Sequence, residues 1–225
     1  MQICVSLLPR TVGEAIELIE KAEKHKPNFI EIRLDCIRDY GKLNDIAEST
    51  TLPLIATNRA KDCGGKFFGN ERERQKTLIN AAECGFEYID VENYVLELED
   101  IVGDLRRKGV KVIISFHDFN KTPSKLKLHK IFRSQVESGA DVCKIITTAK
   151  KVDDNLTLLN FLKSTSEISK IVCFAMGSAG KLSRVLSPLF GGFFTMASLE
   201  HGRETAAGQM TIEELRVIYQ ILGVN

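Results

Sequence analysis

The sequence has almost no excess of either charge: 31 Lys and Arg stand against 30 Asp and Glu, a formal net charge of +1. A protein that tracks a phosphate backbone carries a large basic surplus, so no nucleic-acid partner is expected. Long apolar runs are also missing. The longest, such as Ile171 to Met176, fall far short of the roughly 20 residues that cross a bilayer. The opening MQICVSLLPR holds neither a basic leader nor an apolar stretch of signal length, so the expected location is the cytoplasm, with no membrane partner. Six cysteines (Cys4, Cys36, Cys63, Cys84, Cys143, Cys173) lie scattered with no C-x-x-C spacing. That argues against a zinc ribbon or a redox pair and for reduced thiols. Phosphate-loop, dinucleotide, zinc-protease and serine-hydrolase signatures are absent as well, so nucleotide, zinc-protease and serine-hydrolase readings lose their usual support.

What is present is a regular alternation. A chain of 225 residues with 44% apolar and 27% charged residues is enough for one large domain, taken here as residues 1–225. Short β-branched runs predict strands at Ile3 to Leu7, Phe29 to Asp35, Leu54 to Arg59, Tyr88 to Glu92, Val112 to His117, Val142 to Thr147, Ile171 to Met176 and Phe193 to Ser198. Helical periodicity fills the gaps at Thr11 to His25, Leu43 to Glu48, Glu71 to Cys84, Leu96 to Lys108, Ser124 to Ser138, Asp153 to Ser164, Ser183 to Leu189 and Thr211 to Leu222. Gly85, Gly109 and Gly139 stand where helices end. Eight β-α units without a linker predict a single-domain (β/α)₈ TIM barrel of the α/β class, with a doubly wound open sheet as the alternative.

The strands carry charge in an unusual place. Ile30, Ile32 and Leu34 alternate with Glu31, Arg33 and Asp35, and Ile89 and Val91 alternate with Asp90 and Glu92. Ile114 and Phe116 alternate with Ser115 and His117, and Cys143 and Ile145 flank Lys144. Barrel interiors are usually filled by Val, Ile and Leu, and a buried unpaired charge costs several kcal/mol, on the order of a protein's whole margin. Such polarity near the strand ends predicts a substrate site.

Lys144, inside DVCKIIT, is the most informative position. Burial disfavours an ammonium, lowers its pKa by up to about 3 to 5 units and leaves an amine that can attack a ketone to form an imine. A lysine snorkelling from a strand end is the plainer alternative. His117, closing IISFHDF, can move a proton at the same barrel end. Arg33 and Arg59 at strand ends, and Arg184 after GSAGKLS, imply an anionic substrate, although Arg33 can instead pair with Glu31 or Asp35 and Arg184 can be a surface residue. The loop SLEHGRETAAGQMT reads as a lid offering Thr205 and Gln209 as donors, or simply as the approach to a helix capped by Thr211 and Glu214.

These segments, in order, resemble type I 3-dehydroquinate dehydratase: EIRLD at Glu31 to Asp35, TNR and the Gly-Gly pair within Thr57 to Gly65, SFHDF at Ser115 to Phe119, the lysine of CKI, FAMGSAGKLSR at Phe174 to Arg184, and TAAGQ at Thr205 to Gln209. The resemblance implies a TIM-barrel lyase of the shikimate pathway that dehydrates 3-dehydroquinate to 3-dehydroshikimate without metal or organic cofactor, commonly as a homodimer. It further implies that Lys144 forms the imine and His117 removes the neighbouring proton and assists the departing hydroxyl. Glu31, Arg33 and Arg59 would then hold substrate hydroxyls and the local charge network, Arg184 would pair with the substrate carboxylate, Met176 would pack on the ring, and Thr205 and Gln209 would close the pocket. One departure stands out: Cys63 occupies a position where the family often has Glu. Two other readings share some of these features. A Schiff-base aldolase barrel also has a lysine on its sixth strand, and a binding barrel descended from the dehydratase would have no need of Lys144 and His117. Loss of Lys144 is expected to abolish turnover and leave the fold intact.

Overall fold

A computed structural model, describing residues 1–224, turns each apolar-polar run into a strand. The strands are β1 (Ile3–Leu7), β2 (Phe29–Arg33), β3 (Leu54–Thr57), β4 (Tyr88–Glu92), β5 (Lys111–His117), β6 (Val142–Thr148), β7 (Ile171–Met176) and β8 (Thr195–Ser198), with a two-residue β9 (Met210–Thr211) beside β8. All pairings are parallel, in the order β7-β6-β5-β4-β3-β2-β1-β8-β9. The ring closes where the Phe193 amide, just before β8, donates to the Ile171 carbonyl of β7 at 2.8 Å. Parallel neighbours need a covering crossover, and helices α1 (Val12–Glu23), α2 (Leu43–Glu48), α3 (Glu71–Glu83), α4 (Leu98–Arg107), α5 (Lys125–Glu137), α6 (Asp153–Thr165), α7 (Lys181–Leu186) and α8 (Ile212–Ile221) supply it, giving the TIM barrel.

Local chemistry sets the helix ends. Thr11 caps α1 and Ser124 caps α5, while Asn70 with Glu73 and Thr211 with Glu214 form reciprocal capping boxes on α3 and α8. Several expected boundaries move: β3 ends at Thr57 and not Arg59, β8 begins at Thr195 and not Phe193, and two others have a visible cause. β2 stops at Arg33, and Leu34–Cys36 turns as a 3₁₀ helix that brings the Asp35 carboxylate back onto the Arg33 guanidinium. α7 was expected to reach Leu189 but ends at Leu186, before a 3₁₀ turn over Ser187–Phe190. Pro188 has no amide to donate to the Arg184 carbonyl, and the Thr195 hydroxyl takes that place at 2.7 Å.

The core has two shells. Outward residues such as Ile30, Ile32, Ile89, Val91, Ile145 and Cys173 are buried between strands and helices. Inside the barrel, Phe29, Tyr88 and Phe194 fill the end nearest the strand starts, with ring centroids 5.7 Å (Phe29 to Tyr88) and 5.1 Å (Phe29 to Phe194) apart. Above this apolar plug lies a polar level. The register sets Ser6 beside Glu31, Thr57 beside Asp90, and Ser115 beside Lys144. The plug closes the barrel below this level, and the cavity lies above it at the strand C-termini.

Candidate active site

Lys144 points inward from the middle of β6 because its neighbours Cys143 and Ile145 are the apolar residues that face the helices. Only 3% of it is exposed. Its Nζ lies 2.8 Å from Asp90 Oδ2 and 3.4 Å from Glu31 Oε1. Glu31 in turn accepts from the Ser6 hydroxyl and, at 2.8 Å, from the Thr57 hydroxyl. This corrects the expectation of a lowered lysine pKa. Burial does pull the ammonium down, but Asp90 and Glu31 outweigh it and hold Lys144 above its ordinary range. The resting group is an ammonium, and it must lose its proton before it can attack a carbonyl.

Asp90 holds two cations. Burial pushes its carboxyl up, yet Arg59 and Lys144 together drive it far below the usual carboxylate range. Arg59, just beyond β3, spans Asp90 Oδ1 (2.8 Å) with Nη2, and Glu92 Oε1 (3.0 Å) and Ser115 Oγ (2.8 Å) with Nη1. Arg33 forms a two-point fork on Asp35 at 2.8 and 2.7 Å, so the ion-pair alternative is realised while Arg33 still lines the cavity. Asp35 also accepts from the Arg59 and Lys66 amides, which ties the loop after β3 to the end of β2.

His117, at the end of β5, is a neutral imidazole. Burial first, then Arg59 and Lys144, lower its pKa well below the ordinary value. Its Nδ1 is buried with no partner, and its ring stacks on Phe119 at 5.9 Å with planes 14° apart.

Arg184 is not a surface residue: 1% of it is exposed. Nη1 donates to the Met196 carbonyl at 3.2 Å, the guanidinium lies 4.4 Å from the Phe174 ring centroid, and Nε and Nη2 have no partner. No carboxylate pairs with it among the described residues, and burial alone pulls its pKa down to about 10. Lys144, Arg33, Arg59 and Arg74 are four buried cations matched by Glu31, Asp35, Asp90 and Glu92, so Arg184 is the uncompensated charge.

One cavity at the strand C-termini is lined by Glu31, Arg33, Arg59, His117, Lys144, Met176, Arg184, Thr205 and Gln209, which brings together every position singled out from the sequence. Thr205 and Gln209 also bond each other: the Thr205 amide and hydroxyl both donate to Gln209 Oε1, at 2.5 and 3.1 Å. Their loop sits over the cavity because the Gly177 amide donates to the Ala207 carbonyl at 2.9 Å. Gly208 packs so closely on this strap that an added Cβ would stand 2.3 Å from the Gly177 carbonyl oxygen. Cys63 lines the cavity mouth, half-buried, with its thiol 3.4 Å from the Tyr94 hydroxyl. Asp90, Ser115 and Glu92 are parts of the site that sequence reasoning left without roles, although all three sit on the polar side of the alternation. Phe174, at a position where the resembling family often has Met, walls the cavity as an apolar residue there should, whereas Met196, also in the wall, and Arg74, on α3, carry no such signal.

The family profile described as type I 3-dehydroquinase matches residues 3–225. A 3-dehydroquinate dehydratase of Dehalococcoides mccartyi is 41% identical over 192 residues, covering 85% of each chain. Among solved structures, the 3-dehydroquinate dehydratase of Geobacillus kaustophilus superposes with a TM-score of 0.91 at 24% identity, covering 99% of this chain and 91% of that one. The type I enzyme of Clostridium difficile, solved with covalently modified comenic acid, gives 0.86 at 26%, covering 98% and 91%. By sequence, fold and the cavity its strands build, the chain belongs to the type I 3-dehydroquinase family of lyases.

Proposed function

We propose that this protein dehydrates 3-dehydroquinate to 3-dehydroshikimate through an imine on Lys144, as a step of the shikimate pathway. The observation that carries the reading is one cavity holding an inward lysine, a neutral histidine with a free buried nitrogen, and a buried arginine with unpaired donors. The substrate carboxylate pairs with Arg184 and supplies its missing counter-charge, placing the ketone near Lys144. The Lys144 proton leaves, the amine adds to the carbonyl carbon, and one water departs to give a protonated imine. The imine draws electrons from the adjacent carbon, so His117 can remove a proton there despite being a weak base. The resulting enamine expels the β-hydroxyl, which leaves as water with the proton from His117. Hydrolysis of the imine then releases product and restores the lysine. Asp90 and Glu31 stabilise the cationic nitrogen at each of these stages. Met176 and Phe174 form the apolar wall for the ring, Arg33, Arg59 and Glu31 meet its hydroxyls, and Thr205 and Gln209 hold the strap over it.

The same reading places the enzyme in the cytoplasm as a homodimer that needs neither metal nor cofactor. Among the described residues no helix is long and apolar enough to cross a membrane, and light scattering at working concentration checks the dimer. The chemistry is tested by mixing protein and 3-dehydroquinate, adding borohydride, and mapping peptides by mass. An adduct confined to the Lys144 peptide is expected. Product formation without any adduct would leave a dehydratase that works by another mechanism, and neither adduct nor product would end the reading.

A further inference from the structure

The buried charges do not stop at the cavity wall. Arg74 lies on α3, outside the cavity lining and 1% exposed, and its Nη1 stands 2.6 Å from Glu92 Oε2, an ion-pair contact in which that oxygen accepts no aligned hydrogen bond. The other oxygen of Glu92 is held by Arg59 at 3.0 Å, Arg59 reaches Asp90 at 2.8 Å, and Asp90 reaches Lys144 at 2.8 Å. Arg74 is itself fixed on three sides. Nη1 donates to the Asn58 carbonyl at 2.7 Å, and Nε and Nη2 fork onto Glu71 at 2.8 and 2.7 Å. Signs therefore alternate without a gap from a half-exposed carboxylate on a surface helix to the amine in the barrel centre.

We propose that Arg74 is a positioning residue: by pairing its charge with one oxygen of Glu92 it leaves Arg59 free to share Asp90, and so limits how tightly Asp90 grips Lys144. The proposal rests on the reading of Lys144 as the nucleophile and adds a control on when that amine becomes available. Without Arg74, Glu92 would draw Arg59 toward itself, Asp90 would lose part of its second cation, and the Lys144 ammonium would bind its proton more strongly. Removing the Glu92 charge instead leaves Arg59 wholly to Asp90 and loosens the grip on Lys144. The other groups around the amine are Cys4 from β1, Glu31 and Arg33 from β2, and His117 from β5. Neither variant substitutes any of them. Arg74 itself faces Glu71, Glu92 and Tyr94.

The test reads the amine without using the dehydratase reaction. Formaldehyde with cyanoborohydride methylates neutral amines, and peptide mapping gives the labelling rate at Lys144 from about pH 6 to about pH 10, a range below the titration of the native amine in which the rate follows its small neutral fraction. Arg74→Met is expected to slow the labelling about tenfold at each pH, an upward shift of the rate profile by about one unit. Arg74→Lys is expected to restore the wild-type profile, and Glu92→Gln to move it downward. Two independent proteins thus bear on the point even where Arg74→Met does not fold. Profiles of Glu92→Gln and of folded Arg74→Met that superpose on wild type, with only the melting temperature lowered, would overturn the proposal and leave Arg74 a structural residue. Because the probe is formaldehyde, a wild-type protein with no dehydratase activity would sink the proposed function and not this relay.

Discussion

Arg184 joins binding to instability at a single residue. An arginine buried with two unpaired nitrogens has lost its water and regained only one carbonyl and an aromatic face. Replacing a buried charge with an apolar side chain of similar length is often neutral or stabilising by about 1 to 4 kcal/mol. Arg184→Met is therefore expected to raise the melting temperature while kcat/KM falls by about 10- to 100-fold or more, the value of a charge-assisted bond to a carboxylate. Calorimetry beside steady-state kinetics checks both signs, and a variant both less stable and fully active would contradict the assignment. Lys144 gives the opposite pattern. The sequence alone suggests that Lys144→Ala loses turnover and keeps its fold, but the geometry revises the second half. Asp90 and Glu31 would be left buried without their shared cation, at a cost of about 3 to 5 kcal/mol. Borohydride trapping should find no adduct in Lys144→Ala, and urea unfolding should show the lost stability.

At the scale of elements, the strap over the cavity depends on two glycines. Gly208 sits at φ +76° with no room for a Cβ against the Gly177 carbonyl. Gly208→Ala must displace the strap, and with it Thr205 and Gln209, while the barrel beneath keeps its pairings. The expected result is a clear fall in kcat/KM with a melting temperature within a few degrees of wild type, because exposed loops contribute little to global stability. A loss of stability as large as that of Lys144→Ala would mean that the strap is part of the barrel core. The same scale shows what could be read in advance. The alternation of Glu31, Arg33, Asp90, Ser115 and Lys144 with apolar neighbours is a local property of each strand, and it was legible. Which interior groups pair is a property of register between strands far apart in the chain, and so the Asp90 bridge from Lys144 to Arg59 was not. Arg74 was hidden for a related reason: on a charged helix its residue type reads as solvated, and only the placement of Glu92 behind it makes it buried. The short α7 was readable in principle from Pro188, whose missing amide ends a helix, yet apolar periodicity beyond it masked the break.

For the molecule as a whole, the site sets the acid side of the pH dependence of folding and buried thiols begin the alkaline side. His117 is held neutral in the native state and titrates normally when unfolded, so the unfolded chain takes up an extra proton as pH falls below about 6.5. Stability is then expected to drop by up to about 1.4 kcal/mol per pH unit until the native histidine protonates. Asp90, Glu31 and Asp35 add a second loss at lower pH. Their native carboxyls lie below ordinary values, so the stability they give is present above about pH 4 and disappears as pH falls through the native range. On the alkaline side, the buried thiols of Cys4, Cys143 and Cys173 are pushed up by burial and ionise first in the unfolded chain, so stability declines above about pH 9. Lys144, held above its ordinary value, adds to that decline beyond about pH 10.5, where the unfolded lysine loses its proton and the native one keeps it. The stability plateau should therefore lie between about pH 6.5 and about pH 9. Urea midpoints across this range test the sum, and His117→Gln isolates one part of it. That variant should flatten the first acidic step and leave the lower carboxylate step and the alkaline decline unchanged, whereas an unaltered first step would mean that His117 is already charged in the native barrel.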